Sequence, residues 1–384
     1  MTILYAIVLL YTFVESIFYI IYTIYLKPRA NDFSRNTIKP FRDYDQFTQP
    51  NRRRHLLFKR IMERIEARSR FGNKDFRVEF DAFFRGWFCF EEKKNQGNAQ
   101  SKLDPVIDYE GVLDLFSWAF FDKLRVHLKD WEREELDITM NILKERGLLY
   151  PKRSTHNRKW ARPLLMSLDK GNPLHRPIFI YIVSWLIRQV SYTSLHFLGF
   201  HRHHVKTQKG KKLWYWYRFG TCKNVDGVKG NRNPILFFHG IAPGGLAFYL
   251  PMLRYFLSNL SQPVLLFENL HITWYLSFEA LSEEETVYGV EQVLRNHGFY
   301  KTTSKLTLCG HSFGSFQLTW FLKAKQIYPM IHKFVLLDPV SILLSYPDVT
   351  LNFLYGGSEK DNANKQIYWT KLKIWLLASS ELFI

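Results

Sequence analysis

From Ile3 to Leu26 the chain is apolar almost without a break, interrupted by Glu15 and a few hydroxyls. A run of that length predicts one helix able to cross a bilayer. Over Asn51–Arg70, Leu57, Phe58, Ile61, Met62 and Ile65 recur at helical intervals, while Arg52, Arg53, Lys59, Arg60, Arg64 and Arg68 fill the remaining faces. That pattern predicts a basic amphipathic helix, either lying on anionic lipid or packed with its basic face in water. Phe80–Phe90 is dense in aromatics and reads as helix, and Glu91–Pro105 as a polar loop. Two further helices are expected near Tyr109–Leu128 and Trp131–Arg146, the second stopped by Gly147. Ile178–Ile187 is apolar until Arg188 cuts it, too short to span, so it predicts an interfacial or buried helix.

The second half changes rhythm. Short apolar runs at Leu213–Phe219, Pro234–Gly240, Pro263–Glu268 and Phe334–Asp338 alternate with helical patterns at Leu246–Leu260, Glu284–Asn296 and Phe316–Lys325. Strands and helices in alternation, with short connections, predict a mostly parallel sheet covered on both faces. The domain expectation is therefore a transmembrane anchor at 3–26, a helical, basic, membrane-proximal region at 27–205, and an α/β domain at 206–384.

Charge and composition sharpen this. The formal net charge is +18 and aromatics make up 17% of the 384 residues, both of which suit a membrane surface with anionic lipid as partner. No nucleic-acid module accompanies the charge, so no nucleic-acid partner is expected. No Lys or Arg precedes the apolar run, whereas Lys27, Arg29, Arg35, Lys39 and Arg42 follow it. A single-pass protein with its bulk in the cytosol is the expectation, and three cysteines without a paired framework agree with a reducing compartment. His201, Arg202, His203 and His204 read as a basic turn, since adjacent histidines lack metal-site spacing and carboxylate or cysteine companions. No metal and no cofactor is expected.

Chemistry gathers at Lys305–Gly314, KLTLCGHSFG. Gly310, His311, Ser312, Phe313 and Gly314 form G-x-S-x-G, the turn that lifts a nucleophilic serine off the end of a strand. Side chains two positions either side of the serine would collide, so both flanks are glycine. The amide of Phe313, opening the next helix, is positioned for an oxyanion. Upstream, His239 and Gly240 end a strand and lead into a glycine-bearing loop, whose first amide, Ile241, is the matching second donor. Asp338, at the tip of FVLLD, is the candidate acid; its alternative is a structural carboxylate capping the loop.

These segments resemble the α/β-hydrolase fold from about Leu213 to at least Val340. Together with Gly111–Phe121 and Leu337–Leu354, they look like a group of uncharacterised membrane-anchored α/β hydrolases. The resemblance implies serine-hydrolase chemistry on an ester or lipid, with the triad in the order Ser, acid, His. It also implies later strands and a histidine that this sequence lacks, because nothing after His332 supplies one. Ser341–Tyr355 reads as the start of a cap, and Ile374–Ile384 ends apolar and uncapped, so the sequence is expected to be a fragment, inactive or nearly so in this form. The other class is a non-catalytic hydrolase-fold scaffold that binds lipid or a protein partner.

Overall fold

The computed structural model describes residues 2–26, 54–89, 106–152, 160–165, 168, 175–220, 233–259, 261–275, 280–301, 303, 305–342 and 347. Of the expected cap only 341, 342 and 347 are among these residues, and the terminal apolar run and Cys222 lie outside them. The first helix, α1 (Thr2–Ile21), continues in π form over Tyr22–Leu26. It is apolar all round, and most of its side chains are exposed.

The described residues divide into two units, one of 54–168 and one of 2–26 with 175–342. The first is helical: α2 (Arg54–Phe71), α3 (Phe76–Arg85), α4 (Tyr109–Phe121) and α5 (Asp130–Glu145). A two-stranded ladder of β1 (Phe88–Cys89) and β2 (Arg162–Pro163) accompanies them. In α2, Phe58, Met62, Ile65 and Ser69 are buried, so its apolar stripe is occupied by protein and the packed alternative holds. The Phe80–Phe90 expectation is corrected. The helix starts four residues earlier, where the Asp75 carboxylate accepts the Arg77 amide at 2.6 Å, and it ends before Gly86. Asp108 caps α4 through the Gly111 amide at 3.1 Å.

The second unit carries the sheet. It begins with α6 (Ile178–Phe197), β3 (His201–Lys206), β4 (Lys212–Arg218) and β5 (Ile235–Phe238). Then come α7 (Leu250–Asn259), β6 (Val264–Glu268), α8 (Glu283–Asn296), β7 (Leu306–His311), α9 (Gly314–Lys323) and β8 (Ile331–Leu337). The strand order is β3-β4-β6-β5-β7-β8. β4 runs antiparallel to both neighbours, while β6, β5, β7 and β8 run parallel. The middle strands read as continuous apolar runs because both faces are covered: every residue of β6 is buried.

Two expectations change here. HRHHVK is an edge strand, its residues paired one for one with Lys212–Tyr217, so LWYWYRF is the second strand of the sheet and the sheet starts before the expected 205/206 boundary. The histidines alternate across the ladder instead of turning; His204 packs on Trp214 at 4.7 Å and His203 on Tyr215 at 5.6 Å. The block around Ile178 extends past Arg188 to Phe197 because Ser184, Arg188, Ser191 and Leu195 all fall on its buried face. Glu15 of α1 accepts the Ile178 amide at 2.8 Å and meets His175 Nε2 at 2.7 Å, capping α6 from a distant helix.

Candidate active site

The elbow is built by what glycine leaves out. Ser312 follows β7 with φ +48°, a left-handed conformation that costs a side-chain-bearing residue on the order of 1–3 kcal/mol. The Ser312 amide donates to the Leu337 carbonyl at 2.8 Å, and its carbonyl accepts from Ser315 at 3.0 Å, so the strained turn is pinned from both sides. A Cβ on Gly314 would stand 2.1 Å from the Phe238 carbonyl oxygen, and one on Gly310 would stand 2.8 Å from Leu318 Cδ1. Both flanks are glycine because β5 and α9 close on them. Gly240 makes a third close approach: its Cβ would lie 2.9 Å from Ser312 Cβ and 2.8 Å from His311 Nδ1. The loop after β5 is thereby pressed onto the serine.

A serine raised on this turn at the end of β7, in a sheet whose second strand alone is reversed and whose order reads first, second, fourth, third, fifth, sixth, decides the architecture. The fold is that of an α/β hydrolase.

Around the hydrolase elbow the motif residues take distinct places. His239 is buried; its Nδ1 donates to the Gly240 carbonyl at 2.7 Å and its Nε2 accepts the Asn269 amide at 3.0 Å. The imidazole is thus fixed in one neutral tautomer, and burial pushes its pKa down. It braces the loops after β5 and β6 and does not reach for a substrate. The Gly240 amide donates to the Tyr249 hydroxyl at 2.8 Å, and that hydroxyl also meets His311 Nδ1 at 2.8 Å. Tyr249 therefore ties the loop to the elbow strand. Sequence reasoning missed it, since a tyrosine in an apolar helical pattern carries no local signal.

Ile241 follows this brace, and no described residue accepts a hydrogen bond from its amide. Phe313 is buried at the start of α9, in helical conformation, its ring against Phe316 at 5.3 Å. Phe313 directly follows Ser312, and Ile241 directly follows Gly240, whose Cβ position would lie 2.9 Å from Ser312 Cβ. Asp338 lies just beyond Leu337 with φ +44°. Its carboxylate is 94% exposed and stands 3.8 Å from His311 Nε2. Ser312 Oγ makes no hydrogen bond to any described residue, and His271 lines a cleft with Lys212, Trp214, Asn269 and Gln317. Cys309, two residues before His311, is buried in the core, and burial pushes its thiol up to about 11, so it stays protonated.

No protein-family model matches the sequence, and no curated protein does. Among solved structures, the chain is similar to the carboxylesterase CesB from Bacillus subtilis at 14% identity, covering 51% of this chain and 68% of that one, with a TM-score of 0.32. It is similar to fungal esterases from Rhizomucor miehei at 16% identity, 52% and 67% coverage and a TM-score of 0.32. A bacterial membrane phospholipase A matches at 12% identity, 63% and 70% coverage and a TM-score of 0.29. The chain spans 44% of the length of a carboxyl esterase from Bacillus coagulans and 44% of an alpha/beta hydrolase from Novosphingobium aromaticivorans.

Proposed function

We propose that this chain is a membrane-bound serine hydrolase acting on carboxylic esters, lipid esters above all, through an acyl-serine intermediate. The observation that carries the reading is the strained, glycine-flanked Ser312 turn with the Gly240 loop pressed against it. Ser312 Oγ attacks the acyl carbon, a base takes its proton, and the carbonyl oxygen gathers negative charge between the Phe313 and Ile241 amides. Expulsion of the alcohol leaves the acyl-serine, which water then hydrolyses. The base is not among the described residues. Asp338 is the acid that would orient it. The anchor is α1, one of two described helices long and apolar enough to cross a membrane, with the basic residues after it holding the bulk of the chain in the cytosol. The partners are membrane lipid and the ester itself.

A non-catalytic scaffold is favoured by one observation, the Ser312 hydroxyl without a described hydrogen-bond partner. A fluorophosphonate probe separates the two readings in native membranes. Expected for the full-length protein are labelling of the wild type and, for Ser312→Ala, complete loss of both label and ester turnover. A folded wild type that takes no label overturns the hydrolase reading in favour of the scaffold.

A further inference from the structure

Arg188 is the feature the elbow chemistry leaves unexplained. It lies on the inner face of α6, only 5% exposed, and its Nη1 is buried without a hydrogen-bond partner. No described carboxylate pairs with it. The Tyr275 ring lies 4.5 Å from the guanidinium carbon. Glu268, on the neighbouring strand end, is already held by Arg202 at 2.8 and 3.0 Å and by the Tyr192 hydroxyl at 3.2 Å. A guanidinium cannot shed its charge, so burial without an anion is costly. A cation–π contact offsets part of that cost and leaves the planar donor fork unused.

The position of this cation gives it a use. The Gly244 amide, in the loop that begins at Ile241, donates to Ser184 Oγ of α6 at 3.2 Å, and Ser184 Oγ donates to the Thr273 carbonyl at 3.1 Å. A Cβ on Gly244 would meet Ile187 Cγ2 at 2.5 Å and the Arg188 nitrogen at 3.7 Å. The α6 segment bearing Arg188 is therefore packed on the two loops that leave the carboxyl ends of β5 and β6, where α/β sheets bind their ligands. The opposite face of α6 exposes Phe179, Ile182, Leu186, Val190 and Phe197, and its N-terminus is capped by Glu15 of the apolar anchor. One helix thus carries a lipid-compatible outer face and, on the face packed against the Gly244 loop, a buried cation with no pairing carboxylate among the described residues.

We propose that Arg188 binds the phosphate of the substrate, which makes that substrate a phosphate-bearing acyl ester taken from the membrane. This rests on the hydrolase reading of Ser312, and a binding measurement separates the two. Full-length protein in detergent micelles is melted in phosphate-free buffer with inorganic phosphate or glycerol 3-phosphate, as wild type, Arg188→Gln and Arg188→Lys. The expected result is a higher melting temperature for the wild type with glycerol 3-phosphate, no rise for Arg188→Gln and a smaller rise for Arg188→Lys, which keeps the charge if the glutamine variant fails to fold. In parallel, the ratio of kcat/KM for a diacyl phospholipid to that for a diacylglycerol should fall roughly tenfold or more in Arg188→Gln. A response to inorganic phosphate with none to glycerol 3-phosphate assigns the site to free phosphate and overturns the substrate class. Loss of both substrates in equal proportion, or no Arg188-dependent response to either anion, overturns the proposal outright. Failure of Ser312 to take a serine probe, with the phosphate response intact, removes the hydrolase reading and leaves the anion site standing.

Discussion

In the sheet unit, close approach is achieved by leaving side chains out; in the helical unit it is achieved by filling space with rings. Gly240, Gly310 and Gly314 let β5, β7 and α9 meet at distances where any Cβ would collide. In the helical unit Phe58, Phe80, Phe84 and Phe116 are buried together, with Phe58 and Phe116 centroids 4.9 Å apart and Phe80 and Phe84 stacked at 5.5 Å. One buried charge in each unit makes a second comparison. Lys123 and Glu132 of the helical unit pair at 2.6 Å, and Glu132 also caps its helix through the Lys129 amide at 2.8 Å, so these charges answer each other. In the sheet unit, Arg188 is buried with no such answer among the described residues. A core of rings serves stability, whereas backbone-tight turns and unanswered polar groups mark where a ligand completes the structure.

The largest effect should come from adding one methyl group to the sheet unit. Gly314→Ala places a Cβ against a backbone carbonyl that no rotamer change can move. The expected loss is about 4 kcal/mol or more, above the usual overpacking range because the clash is with main chain. Urea melts and probe labelling of Ser312 check it: both should collapse together. A variant that melts like wild type and labels normally would show that the elbow is looser than this geometry. The mirror experiment removes atoms from the helical unit. Phe84→Ala deletes a ring that is 2% exposed and packs on Phe80, Phe88, Phe116 and Tyr150. It should cost roughly 3–4 kcal/mol by the cavity it leaves. If the same variant lost labelling in step with stability, the comparison would break, because the rings would then be supporting the serine as well.

The elbow was legible because its demands are local: five consecutive residues must carry two glycines and a serine whatever surrounds them. The parallel strands were legible for a related reason, since a strand buried on both faces leaves an apolar run such as VLLFE. The edge strand His201–Lys206 was not legible. Only Val205 is buried in it, so neither alternation nor an apolar run announces it, and its strand character comes from pairing with β4. Arg188 misled in the opposite direction. In sequence it ends an apolar block, whereas in the fold it sits on the same face as Ser184 and Leu195, and only three-dimensional packing shows that the charge is buried. The cap that Glu15 provides to α6 joins residues 163 positions apart, and no periodicity can carry that. Asp338 was legible as the end of a strand, yet its exposure and its approach to His311 follow from the β7–β8 register, which pairs His311 with Leu337.

The smallest effect concerns a charge of the sheet unit that, unlike Arg188, is answered. Glu285 is 1% exposed at the start of α8. Its carboxylate accepts the Ser282 amide at 2.9 Å and meets Lys211 Nζ at 3.1 Å. Burial pushes its pKa up, but the Ser282 amide and the Lys211 ammonium together outweigh burial, and the net shift is downward. A carboxylate whose pKa is lowered by folding contributes stability at pH values above its unfolded pKa, and loses it as the pH falls through the lower, folded value. The sheet unit should therefore lose stability on acidification below about pH 4.5, near the unfolded carboxylate range, and Glu285→Gln should remove that component of the acid limb. Chemical melts of wild type and Glu285→Gln at stepped pH read it directly as a difference that shrinks toward low pH. A gap between the two that stays constant from neutral to acid pH would mean that Lys211 and Ser282 hold the amide as well as the carboxylate, and that charge at this position adds nothing.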